Sequence, residues 1–183
     1  MIKTILVHLA TGFEETEAVT IIDVLRRANL NVSTVSLTDK RKVTGAHNIS
    51  IEADQLYDET DYARAAMIIL PGGMPGTTNL MNHQGLAGQL ILFNQEKRWI
   101  GAICAAPIIL GSLGFLLGKK AVCYPGFESR LTGANVLQVP AVVDEHLVTG
   151  RGVGTALDFS LLIVRLLKGD AVAAELRTSL VIY

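Results

Sequence analysis

A three-layer α/β sandwich around a mainly parallel sheet is the fold class this sequence predicts, and three observations predict it. Short apolar runs rich in branched residues alternate along the whole chain with longer stretches of helical periodicity. The first such runs form a strand–helix–strand unit, which implies parallel strands joined by a right-handed crossover. Half of the residues are hydrophobic and only 18% are charged, which suits a sheet buried on both faces and excludes a disordered chain. At 183 residues the chain can bury a substantial core. We expect a single domain over residues 1–183, without repeats, low-complexity tracts or linkers.

Taken in order, Ile2–Leu9 is short, apolar and branched, and reads as a central strand. Ala10–Phe13 is a turn containing Gly12. Glu14 to Ala28 reads as a helix whose acidic first turn complements the helix dipole, with Asn29 as its stop. Asn31–Leu37 is the second strand. Thr38–Gly45, with Lys40, Arg41 and Lys42, reads as a solvated turn rather than a binding patch. Ile49–Ile51 is a short strand, and Asp54–Ala65 is a mixed connection with a helical turn. Ala66–Leu70 is a buried strand ending on Pro71-Gly72-Gly73, and Gln84–Lys97 is a helix. Trp99–Ile109 then reads WIGAICAAPII, a buried strand that turns sharply into a helix with Cys104 at the turn. Lys119–Gly133 is irregular. Val136–Val139, Val142–Val143 and Leu147–Thr149 are short strands, and Thr155–Lys168 and Ala171–Ser179 are helices.

Several function classes lose ground at once. The formal net charge is −1 and no basic–aromatic cluster is present, so nothing favours a nucleic-acid module or an anionic membrane surface. Ile100–Gly118 is 19 residues without a charge, long enough to span a bilayer. It is broken by Gly101, Pro107, Gly111 and Gly114, and a span so broken would expose backbone groups to lipid. The histidines (His8, His47, His83 and His146) are scattered without metal-ligand spacing, and no Cys-x-x-Cys occurs, so no metal site is expected. Gly150–Thr155, GRGVGT, follows a strand and opens a helix, but it matches neither phosphate-loop spacing; we read it as a site wall or a packing turn. Two cysteines, Cys104 and Cys123, and no leader-like segment before the first strand point to a reducing cytoplasm.

The residues that could carry chemistry lie at three places. Cys104 sits at the carboxyl end of a strand, where open α/β sheets bind ligands, and near a helix amino terminus, which favours a thiolate. An inert buried cysteine fits the same local sequence. Glu17 shares a helix face with Ile21, Val24 and Ala28, while Thr16, Thr20, Asp23 and Arg27 form the polar stripe. It is therefore either a buried carboxyl group needing a partner or a proton, or a rim residue whose head reaches water. Gly72 and Gly73 follow a strand end, as a tight turn or as N–H donors exposed to a ligand. Beside Cys104 such donors could form an oxyanion hole.

In combination the chain resembles the ThiJ/PfpI family, in the branch that holds the parkinsonism-associated deglycase. The carriers are Gly12-Phe13-Glu14-Glu15-Thr16-Glu17, Asp23-Val24-Leu25-Arg26-Arg27-Ala28, Leu70-Pro71-Gly72-Gly73, Ala102-Ile103-Cys104-Ala105-Ala106-Pro107 and Arg151-Gly152-Val153-Gly154-Thr155. The resemblance implies a flavodoxin-like sandwich related to class I glutamine amidotransferases, assembled as a homodimer. It implies Cys104 as a nucleophile in a strained elbow, Glu17 as the acid contacting its sulfur, and Gly73 and Ala105, with Gly72 adjacent, as N–H donors to the substrate oxygen. Where many relatives carry histidine–proline after the elbow, this chain has Tyr124–Pro125, and tyrosine is a poor base at neutral pH. Tyr124, Arg151 and Gly152 are expected as site walls. A protonated Glu17 would donate to the thiolate and lower the thiol pKa.

The implied activity is a cofactor-independent glyoxalase III-like or deglycase reaction on 2-oxoaldehydes such as methylglyoxal and glyoxal, or on their early protein or nucleotide adducts. Its alternative is a non-catalytic redox-sensing stress protein or chaperone using the same oxidisable thiol. A cysteine peptidase or amidase, the third reading, is weakened by the missing histidine.

Overall fold

A computed structural model describes residues 4–182. Ile2 and Lys3 of the expected first strand lie outside the described residues, as do the outermost residues of the expected domain. In chain order the elements are β1 (Thr4–Leu9), α1 (Glu15–Arg27), β2 (Val32–Ser36), β3 (Lys42–Thr44), β4 (Ser50–Glu52), β5 (Gln55–Leu56), β6 (Ala65–Leu70), α2 (Gly76–Asn82), α3 (Gln84–Gln95), β7 (Trp99–Ile103), α4 (Pro107–Ser112), β8 (Lys120–Ala121), β9 (Asn135–Val136), β10 (Ala141–Asp144), β11 (Leu147–Gly150), α5 (Ala156–Lys168) and α6 (Asp170–Ser179).

Among the described residues the main sheet has seven strands in the order β10-β11-β7-β6-β1-β2-β5. All neighbours in it run parallel except the edge pair β10–β11, which forms an antiparallel hairpin. Side chains alternate across a strand, so each central strand feeds two cores. Ile5, Val7 and Leu9 of β1, with Met67 and Ile69 of β6, pack against α1 and α5. Leu6, Ile68, Leu70, Ile100 and Ala102 pack on the other face against α3 and α4. This is the three-layer α/β arrangement the alternation predicts. Burying each aliphatic side chain contributes roughly 1.5–3 kcal/mol, so the two cores hold the strand ends rigidly.

Three local differences have physical causes. The predicted solvated turn Thr38–Gly45 contains β3, which pairs antiparallel with β4. Only Val43 of β3 is buried, so the hairpin has almost no hydrophobic signature in the sequence. Gly76–Asn82 forms a helix that weak helix formers concealed; Gly76, Thr77 and Leu80 are buried there, so packing sustains it. The helix after Cys104 is only six residues long, and the chain from Leu113 to Gly118 is a series of turns. Among the described residues no helix is long and apolar enough to cross a membrane.

Candidate functional site

Cys104 is the first residue past β7, and its backbone is forced into the left-handed region with φ of 65°. For a side-chain-bearing residue this costs on the order of 1–2 kcal/mol and persists only when neighbours hold it. Here both sides of its backbone are clamped. Its N–H donates to the Gly150 carbonyl at 3.0 Å, and its carbonyl accepts from the Tyr124 N–H at 2.8 Å. Pro107 then opens α4 with a φ already suited to a helix. The thiol is thus presented at the carboxyl edge of the sheet, and the residue is 8% exposed.

Glu17 reaches this edge from the first turn of α1. It is fully buried on the face shared with Ile21 and Val24, and so is not a rim residue. Its Oε2 accepts the Gly72 N–H at 2.8 Å, Oε1 has no hydrogen-bond partner among the described residues, and the Cys104 thiol faces the carboxyl group. Burial pushes the carboxyl pKa up to about 7, against the opposing hydrogen bonds from Gly72 and Cys104, and the nearby Glu14 charge adds to the rise. Glu17 therefore exchanges a proton near neutrality.

Burial also raises the Cys104 thiol, and an ionised Glu17 raises it further; the Gly73 and Ala105 N–H groups, aimed at the sulfur, work the other way. The expected lowering of the thiol pKa is thereby corrected in direction. A six-residue helix beginning three positions later contributes too little dipole to offset burial and a carboxylate. The two acids share one site, and charge on Glu17 opposes ionisation of the thiol.

Gly72 has a different role from the one its adjacency to Gly73 suggests. Its N–H is engaged by Glu17, and its carbonyl accepts the Glu14 N–H at 2.9 Å, so it holds the acid rather than a substrate oxygen. Gly73 adopts φ of 89°, which turns its N–H towards the sulfur. A Cβ on Gly72 would lie 2.5 Å from Cys104 Cβ and 2.9 Å from Glu17 Oε2. Gly72→Ala is therefore expected to cost about 1–3 kcal/mol by forcing the pair apart. Urea denaturation checks this, and an unchanged midpoint would contradict the packing described.

The remaining expected residues lie on one side of the elbow. The Tyr124 ring packs against Gly152, whose Cβ would sit 3.2 Å from it, and meets Phe127 edge-on with centroids 6.4 Å apart. Tyr124 is half exposed. The Arg151 N–H donates to the Pro140 carbonyl, and its charge acts on Cys123. Cys123 is free, like Cys104, and burial foremost pushes its thiol up to about 11. Gly150 has no room for a side chain between Ile103 and Phe159, so the GRGVGT segment begins as a packing turn and continues as a wall beside Tyr124.

One constellation had no signal in the sequence. Loop residue His47 folds back onto the start of α1, where its Nδ1 lies 2.9 Å from Glu15 Oε2 and 3.7 Å from Glu14 Oε2. The residues are more than 30 positions apart, and only the β3–β4 hairpin brings them together.

The profile of the DJ-1/PfpI family matches residues 3–166. Protein DJ-1 homolog B of Arabidopsis thaliana is 39% identical over 161 residues, covering 87% of this chain and 37% of that protein. The chain thus spans little more than a third of the plant relative. A solved structure of Toxoplasma gondii DJ-1 in an oxidized form superposes with a TM-score of 0.94 at 32% identity, covering 99% of this chain and 100% of that one. A protein of Pyrococcus horikoshii named as a deglycase is 29% identical over 144 residues, 78% of this chain and 86% of its own.

Proposed function

Because this chain belongs to the DJ-1/PfpI family, we propose that it is a cofactor-independent enzyme acting on 2-oxoaldehydes or their early adducts, with Cys104 as nucleophile and Glu17 as its proton carrier. The observation that carries the reading is a buried carboxyl group facing a buried thiol at a strand end, with two backbone N–H groups aimed at the sulfur. The deglycase name of the archaeal relative supports the choice of substrate class.

The chemistry follows from the proton inventory. Glu17 as carboxylate takes the thiol proton as the sulfur adds to the aldehyde carbon and passes it to the new oxygen, giving a hemithioacetal and restoring the carboxylate. The Gly73 and Ala105 donors stabilise the oxygen charge as it develops. Glu17 then moves the proton from the former aldehyde carbon to the neighbouring carbonyl carbon through an enediol. That internal transfer oxidises one carbon and reduces the other, and it leaves a 2-hydroxyacyl thioester. Water hydrolyses the thioester, releases the 2-hydroxy acid and restores the thiol. On an adduct, the same acid delivers its proton to the departing amine. Tyr124 needs no part in the proton transfers, which explains how the scheme tolerates it where a histidine stands in many relatives.

The test is conversion of methylglyoxal to lactate by metal-free protein, followed by proton NMR. Wild type is expected to turn over, and Cys104→Ala to fall to the uncatalysed rate. No turnover by folded wild type, or full turnover by Cys104→Ala, overturns the reading. A redox-sensing role is the second reading, favoured by the oxidized form of the Toxoplasma relative. Mild peroxide that adds two oxygens to Cys104 alone, in protein lacking aldehyde turnover, selects it. The homodimer that family membership suggests is checked by light scattering.

A further inference from the structure

Outside the thiol site, three ligating side chains converge at the start of α1. We infer that Glu14, Glu15 and His47 form a binding site for a divalent transition metal ion such as zinc. The inference stands apart from the activity assigned to Cys104. Glu14 and Glu15 each offer a carboxylate oxygen and His47 its Nδ1, and the three atoms lie within 4.8 Å of one another. A tetrahedral ion with bonds of about 2.0–2.1 Å holds its ligands ~3.3 Å apart. The Nδ1 separations of 2.9 Å and 3.7 Å from the two carboxylates bracket that edge, so small side-chain rotations suffice.

The ligands differ in how firmly they are held. Glu15 is 4% exposed, and its Oε1 accepts the backbone N–H groups of His47 at 2.6 Å and Ile49 at 3.3 Å. That leaves Oε2 turned to the imidazole. Glu14 is fixed through its N–H to Gly72. The His47 side chain is 67% exposed, which opens the fourth coordination position to water and gives the ion a way in. An imidazole with two carboxylates suits zinc, cobalt, nickel or copper better than the all-oxygen shells of calcium or magnesium. One imidazole also neutralises at most one of the two converging carboxylates, and a divalent ion balances both. On binding, the ion takes the place of the Nδ1 proton, which leaves to solvent. The ion then pins the tip of the β3–β4 hairpin to the helix that carries Glu17.

The test uses metal-free protein titrated with zinc chloride by calorimetry, and with cobalt chloride by visible absorption. We expect one ion per chain, a higher Tm with zinc, and tetrahedral cobalt bands without a thiolate charge-transfer band. His47→Ala removes an exposed side chain and should weaken binding at least tenfold, and Glu14→Gln should weaken it as well. The Cys104→Ala/Cys123→Ala double variant should bind as wild type does. Three results overturn the inference: no binding up to millimolar zinc, undiminished binding by His47→Ala, or binding that disappears with the cysteines.

Discussion

Glu17→Gln is expected to lower methylglyoxal turnover by about 10²–10⁴-fold and, at the same time, to make the protein more stable above pH 7. Both effects come from one property of the carboxyl group. It is fully buried, and burial holds its pKa at about 7 in place of 4.5. Gln keeps the shape, and its amide oxygen can accept the Gly72 N–H. It cannot take a proton and return it, so the relay stops while the site stays assembled. The stability effect has a definite sign. Between its unfolded and folded pKa values, the folded chain holds a proton that the unfolded chain has released. The contribution is complete below about pH 4.5 and is lost as pH rises through about 7. Above that, the wild type carries a penalty on the order of 3 kcal/mol, which burial causes and the Glu14 charge increases, against the hydrogen bonds from Gly72 and Cys104. Gln does not titrate. Urea midpoints at pH 5 and pH 8 should therefore diverge between the two proteins, with the variant ahead at pH 8. Equal turnover would remove Glu17 from the proposed chemistry. A stability difference that ignores pH would remove the buried ionisation.

The contrast between Glu17 and His47 explains how much of this molecule was legible in its sequence. Local periodicity carries the strand–helix alternation, because each element repeats its own signal over several residues. It also put Glu17 on the apolar face of α1 and Cys104 at a strand end, and these are the two positions the fold brings together. What was not legible depends on distant contacts. The β3–β4 hairpin buries only Val43, beside exposed Lys42, Ser50 and Glu52, so its first strand reads as a solvated turn and only Ile49–Ile51 as a short strand. Since that hairpin carries His47 to Glu15, the cluster was invisible for the same reason. The direction of the thiol shift is not legible locally, because it depends on burial, on helix length and on the charge state of a residue 87 positions away. The engagement of the Gly72 N–H by Glu17 was hidden likewise, since a Gly-Gly pair looks the same whichever glycine faces the ligand.

His8 should make the fold sensitive to acid, with a loss on the order of 5 kcal/mol between about pH 6.5 and pH 3. It lies on β1 facing the layer of α2 and α3, fully buried beside Leu6. Its Nε2 is 2.8 Å from the Tyr62 hydroxyl, and the two rings stack with centroids 5.8 Å apart. Burial holds its pKa down to about 3, the His83 charge acts the same way, and only backbone contacts with Ile69 and Leu6 oppose them. Between 3 and the ordinary 6.5, the unfolded chain binds a proton that the folded chain refuses. The stabilisation is therefore whole above about pH 6.5 and drains away as pH falls through that window. A domain has about 5–15 kcal/mol in total, so this one ring accounts for a large share of its margin in acid. Replacing His8 alone would orphan the buried Tyr62 hydroxyl and confuse the comparison. The His8→Phe/Tyr62→Phe double variant removes donor and acceptor together and leaves a stacked apolar pair. The carboxylates are common to both proteins, so their titration subtracts out. Urea midpoints measured from pH 7 down to pH 4 should fall more steeply for wild type than for the double variant. Parallel slopes would mean that His8 accepts its proton within the fold, and that the ring has a route to water which its burial denies.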